Sequence, residues 1–148
     1  MKISDFLSPA EAMLNIAAPD KQKLMAELAR RAGSKLNIAP DRILAALNKR
    51  EELGSTGVGS GVAIPHARYA QISKPFGMLV RLKKAIDFNA VDGNPVDIVF
   101  VLLMPEAAAG EQLGALASVA RKLRDPAITA ALRQARDGAA LYRALAGE

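Results

Sequence analysis

The run from Ile98 to Met104, seven apolar residues without interruption, restricts the fold more than any other part of the chain. It is too short to cross a bilayer as a helix, which takes about 20 residues. Its surroundings, VDIVFVLLM from Val96, are rich in β-branched and aromatic residues, and Asp92-Gly93-Asn94-Pro95 before it is a turn signal. A strand from Pro95 to Met104 with no polar alternation suits the centre of a sheet buried on both faces. Phe76 to Leu82 is a second candidate strand on the other side of the turn.

Helical patterns flank these strands. Leu24, Met25, Leu28, Ala29 and Ala32 recur at helical spacing after the start signal Pro19-Asp20, with Gly33 as a stop. A second helix begins at Ala39-Pro40-Asp41, buries Ile43, Leu44 and Leu47, and ends near Gly54. From Gly110 onward the stripe Leu113, Leu116, Ala117, Ala120 and Leu123 predicts another. Asp125-Pro126 restarts a short helix with Ile128 and Leu132, and Asp137 caps a last one with Leu141, Tyr142 and Leu145. Helices at both ends with strands between them indicate an α/β fold: one layered domain over residues 1–148, a mixed β-sheet flanked by helices.

Composition removes several classes of function. The chain has no cysteine and one histidine, so no thiolate metal site, disulfide scaffold or multi-histidine centre can be built in it. No metal or cofactor is expected. Its formal charge of +5 could favour anionic partners, but only 4% of residues are aromatic and no basic run exceeds two residues. Nucleic-acid binding is therefore not the expected role. The N-terminal MKISDFLSPAEAML carries Asp5 and no apolar signal region, so a cytoplasmic protein without stable membrane insertion is expected.

The chemistry concentrates between Arg50 and Arg68, REELGSTGVGSGVAIPHAR. Four glycines in the eight residues Gly54 to Gly61 rule out a comfortable helix. The loop is not a P-loop, since no Lys-Ser/Thr pair follows, and Gly57, Gly59 and Gly61 are spaced G-x-G-x-G rather than GxGxxG. Taken alone, such a loop is a flexible connection and a single histidine is a surface or core residue. Together they suggest more. Glycines let backbone N–H groups approach an anion, Pro65 restricts the backbone before His66, and Arg50 brings positive charge. Imidazole, with an ordinary pKa of about 6.5, is a nucleophile one of whose nitrogens can be held while the other reacts. There is no GxSxG elbow for a hydrolase and no nucleotide or magnesium motif for a kinase. A nucleophilic histidine, loop amides and an arginine suit phosphoryl capture.

This string closely resembles the active-site signature of type-2 IIA domains of the bacterial phosphoenolpyruvate-dependent phosphotransferase system, the mannitol and fructose IIA group. FNAVDGNPVDIVFVLLMPE and LASVARKLRDPAITAALRQARDGAALYRAL extend the resemblance over most of the chain, with the nitrogen-regulatory branch the most similar. The resemblance implies that His66 accepts the phosphoryl group through Nε2 and that Arg50 neutralises the phosphoryl oxygens. It implies that Gly54, Ser55 and Thr56 shape the pocket, with the Ser55 and Thr56 hydroxyls as phosphate ligands. Arg68 reads as a solvated surface arginine. Where many members carry a second histidine, this chain has Gln112. Gln112 could orient the imidazole or bond a phosphoryl oxygen, but could not become cationic; equally it could be an exposed helix-start residue.

The implied role is a phosphohistidine carrier, loaded from phosphoenolpyruvate through an enzyme I paralogue and an HPr-like histidine phosphocarrier. Its phosphorylation state would govern docking to regulated targets such as potassium transport or sensor kinases. Two alternatives stay open: a sugar-specific IIA component passing phosphate to a separate IIB permease subunit, and a regulatory binding module whose His66 is never phosphorylated.

Overall fold

The computed structural model describes residues 1–106 and 110–147, apart from the side chains of 111–113. Two one-turn 3-10 helices, Ile3–Asp5 and Pro9–Glu11, lead into strand β1 (Ala12–Ile16). Helices α1 (Lys21–Leu36) and α2 (Pro40–Glu51) follow, then three short strands, β2 (Gly57–Gly59), β3 (Val62–Ala63) and β4 (His66–Tyr69). The long strands β5 (Phe76–Ile86) and β6 (Val96–Pro105) precede helices α3 (Glu111–Leu123), α4 (Pro126–Gln134) and α5 (Gly138–Ala146).

The strands form one mixed sheet in the order β1-β5-β6-β3-β2, with β4 also paired to β6. As its composition demands, β6 is central and buried on both faces. Val99, Val101 and Leu103 pack with α1 and α2, and Ile98, Phe100, Leu102 and Met104 with α3, α4 and α5. Each large side chain buried in this way contributes about 1.5–3 kcal/mol. Phe100 fits because Gly77 on the neighbouring strand β5 leaves it room: a Cβ there would lie 2.7 Å from the ring. Among the described residues no helix is long and apolar enough to cross a membrane.

Several boundaries differ from those read in the sequence. Gly33 does not stop α1, which runs on to Leu36 and ends at Asn37 in the left-handed conformation. Gly33 serves contact instead, since a Cβ there would meet the Ile38 carbonyl at 2.6 Å. β5 continues four residues past Leu82, through a register irregularity after Arg81. On α3 the buried line is Ala115, Val119 and Leu123, which leaves Ala117 exposed. β1 has no strong signal of its own and is a strand because it pairs in parallel with β5. The cap expected at Asp137 is present, and the start signals at Asp20 and Asp125 are caps too, each side chain accepting from a first-turn backbone N–H.

β3 and β4 together place the histidine. Both pair in parallel with β6, Val62 opposite Ile98 and His66 opposite Leu102, in one continuous register. They are two lengths of one strand, interrupted at Ile64-Pro65. Pro65 has no N–H to give a ladder, though its carbonyl still accepts from the Leu102 amide at 3.0 Å. β2 pairs only with the β3 half. Beyond Pro65 that covering strand is absent, and α2 packs against β4 in its place. His66 therefore sits where a sheet edge opens toward a helix C-terminus.

Candidate functional site

The His66 ring is half-buried and held at one nitrogen. Its Nδ1 lies 2.8 Å from the Ile64 carbonyl oxygen. A carbonyl can only accept, so Nδ1 carries the hydrogen and Nε2 presents a lone pair. Arg50, one residue from the end of α2, points its Nε at that Nε2 at 3.3 Å. The same guanidinium donates through Nη1 to the Gly54 carbonyl at 2.9 Å. Burial pushes the His66 pKa below its ordinary value, and the nearby Arg50 cation pushes the same way. The Ile64 bond and the Glu51 carboxylate oppose them without reversing the direction. The ring is thus neutral at neutral pH, with its free nitrogen facing a cation.

A cavity of about 440 Å³ opens over this pair, between α2, the end of β4 and β6, and α3. Lys49, Arg50, Leu53, His66, Arg68 and Leu116 are among its walls, so cationic groups and apolar surface share it. Leu53 is 83% exposed at its rim. A larger cavity of about 570 Å³, between the β2–β3 turn and α4, is lined by the hydroxyl residues Ser60 and Thr129 but by no histidine or carboxylate that could serve them as a base, and its Arg133 is already paired with Asp97. The smaller cavity is the one equipped for chemistry.

The structure brings Arg50 and His66 together and turns the Ser55 and Thr56 hydroxyls into the loop. Ser55 Oγ donates to the Phe88 carbonyl at 3.0 Å and accepts from the Gly57 amide at 3.0 Å. Thr56 Oγ1 donates to Glu51 Oε2, and the Thr56 amide donates to Glu51 Oε1 at 3.1 Å. Arg68 is exposed and lines the cavity. Gln112 lies in the first turn of α3, and its side chain is outside the described residues.

Sequence reasoning passed over Glu51. Its side chain is only 8% exposed and its Oε1 is 2.8 Å from Lys21 Nζ. A signal was present: Ile43, Leu47 and Glu51 stand at i, i+4 and i+8, so the carboxylate continues the buried stripe of α2.

Comparison with known proteins places this helix-flanked mixed sheet, with its neutral histidine facing an arginine, among phosphotransferase components. The family described as "Phosphoenolpyruvate-dependent sugar phosphotransferase system, EIIA 2" matches residues 5–147. The chain belongs to this family. It is 42% identical to a nitrogen regulatory protein of Bradyrhizobium diazoefficiens over 146 residues, 99% of this chain and 95% of that one. Among solved structures, nitrogen regulatory protein IIA-Ntr from Neisseria meningitidis superposes with a TM-score of 0.89 at 31% identity, covering 97% of this chain and 98% of that one. Mannitol IIA from Escherichia coli shares the fold with a TM-score of 0.76 at 17% identity, over 93% of this chain and 97% of that one.

Proposed function

We propose that the chain, as one IIA unit over residues 1–148, is a cytoplasmic phosphohistidine carrier of the nitrogen-regulatory type. An enzyme I paralogue draws the phosphoryl group from phosphoenolpyruvate and loads a small HPr-like phosphocarrier, which docks over the cavity at His66. The His66 Nε2 lone pair attacks phosphorus in line. The new N–P bond forms as the donor's N–P bond breaks, and the donor nitrogen keeps the bonding pair. The Nδ1 hydrogen stays on His66, held by the Ile64 carbonyl. Arg50 exchanges its contact with Nε2 for the phosphoryl oxygens and offsets their charge in the transition state. Ser55 and Thr56 act by holding the loop in shape.

The observation that carries this reading is the direction of the ring: Nδ1 on a carbonyl, and Nε2 unprotonated and accepting from Arg50 Nε at 3.3 Å. The phosphoryl group adds about two negative charges to a cavity walled by Lys49, Arg50 and Arg68. That change alters which partner surface fits, so phosphorylation-dependent docking to regulated proteins is the output. The test is intact-mass spectrometry after incubation with phosphoenolpyruvate, enzyme I and the phosphocarrier. The expected result is a gain of one acid-labile phosphoryl group, absent in His66→Ala. No gain with a demonstrably active donor chain would overturn the carrier role and leave a binding module.

A further inference from the structure

Two ionised side chains near the site stand at the wrong ends of their helices. Glu51 is the last residue of α2, where the helix dipole presents partial negative charge. Lys21 is the first residue of α1, where the partial charge is positive. Each placement is unfavourable alone, and the burial of the Glu51 carboxylate adds a desolvation cost. The two face each other at 2.8 Å, and Thr56 supplies two more donors to Glu51, from its amide and its hydroxyl. The Lys21 ammonium also lies 4.4 Å from the centre of the Phe88 ring, whose own carbonyl holds Ser55. The network ties α1, the end of α2, the glycine-rich loop and the segment around Phe88 into one cluster. Apolar residues of similar volume could hold these elements together at no such cost.

The network also closes a ring around the turn that aims Arg50. The turn from Glu51 to Thr56 begins at a carboxylate and ends at the residue that carboxylate holds. Within it the Gly54 amide donates to the Glu51 carbonyl at 3.1 Å, and the Gly54 carbonyl accepts from Arg50 Nη1. Holding both ends of the turn sets the place of that carbonyl, and so the direction of the guanidinium whose Nε faces His66.

We propose that Glu51, anchored by Lys21 and Thr56, is a positioning residue for phosphoryl capture: it fixes the Arg50–Gly54 turn and sets the charge environment of His66. The role rests on the carrier reading above. The charges around the ring are Arg50 and Glu51 from α2, with Lys49 of α2 and Arg68 of β4 on the same cavity wall. Among the described residues Glu51 is the one anion of this group, and it favours proton affinity at the ring against burial and Arg50.

His66 is the only histidine, so its ring titration is read in an NMR spectrum without overlap. Glu51→Ala frees the turn and is expected to slow phosphoryl acceptance roughly 10²-fold, the size of effect that a misplacement of about 1 Å can have. Glu51→Gln keeps an acceptor for the Thr56 amide and is expected to recover most of that rate. Both variants are expected to move the His66 titration midpoint down. A brace that served only the fold would lower the melting temperature and leave the midpoint where it was. Acceptance by Glu51→Ala within about twofold of the parent, or an unmoved midpoint in Glu51→Gln, overturns the proposal. The titration needs no donor proteins. If the parent itself takes up no phosphoryl group, the carrier reading fails separately, while an unmoved midpoint still overturns the role of Glu51.

Discussion

The glycine-rich loop meets an arginine at each end, and the two are paired differently. At its start Arg50 bonds a ring nitrogen and a backbone carbonyl, both neutral. At its far end Arg133 of α4 grips both carboxylate oxygens of Asp97, at 3.0 Å to each, and donates to the Ser60 carbonyl at 2.8 Å. Asp92 completes the far end by accepting from the Ser60 amide at 2.9 Å. Arg81 of β5 secures α4 in turn, its Nη1 donating to the carbonyls of Leu132, Arg133 and Ala135. A guanidinium matched to a carboxylate has its charge and its fork of donors satisfied, so it serves as a fastener. Arg50, bonded only to neutral acceptors on the wall of an open cavity, keeps a charge that an arriving anion can use. The loop is thus anchored at one end and chemically available at the other.

Exchanging the fates of the two arginines gives the largest separation. Arg50→Ala should slow phosphoryl acceptance on the order of 10²–10³-fold, as loss of one donor to a charged transition state does. Arg133→Ala should leave the rate unchanged. It should cost about 1 kcal/mol of stability, because the Arg133–Asp97 pair is partly exposed and solvent weakens it. Quench-flow or gel-shift rates beside urea denaturation of both variants separate these outcomes. An equal loss of rate in the two would remove the distinction.

The glycines at the two ends sharpen the comparison at a smaller scale. Gly61 has φ +81°, and a Cβ there would lie 2.5 Å from Arg133 Nη2 and 3.0 Å from Asp97 Oδ1. Gly61→Ala meets both backbone strain and the fastener, and should lose roughly 2–3 kcal/mol by urea denaturation. Gly54, at φ +143°, has open space where its Cβ would be. Gly54→Ala meets strain alone and should lose less stability. A larger loss at Gly54 would show that the available end, and not the anchored one, bears the structural load.

The smallest effect is in pH. With its pKa held below the ordinary value of about 6.5, folded His66 resists a proton that the unfolded chain accepts. Its contribution to stability is fully present above about pH 6.5 and is lost as pH falls from there through the folded-state pKa. Denaturation curves of the parent should therefore weaken as pH falls below about 6.5, more than those of His66→Ala. Identical slopes would mean that the ring is not held neutral by its surroundings.

Much of this architecture is written in local pattern. The apolar run at Ile98 has no stable place except a sheet centre, and β6 occupies it. The periodic stripes of α1, α2, α4 and α5 mark their buried faces, because helical spacing and burial are local properties of a chain. His66 and Arg50 stand out as residue types in an unusual string, the one beside a proline and the other at a helix end. The short strands β1 to β4 carry no such mark. β1 exists because β5 offers a free edge, and β4 because Pro65 leaves the register with β6 intact.

The sequence by itself determined the layers, the central strand and which histidine and arginine make up the candidate site, since each depends on composition or spacing within a short window. Only the tertiary structure decided which way the chemistry points. The Ile64 carbonyl selects the free nitrogen of His66, Phe88 and Glu51 take up the Ser55 and Thr56 hydroxyls, and Lys21 reaches the end of α2 from the start of α1. These partners are brought together by packing across elements, and hydrogen bonds depend on distances and angles that no residue spacing encodes.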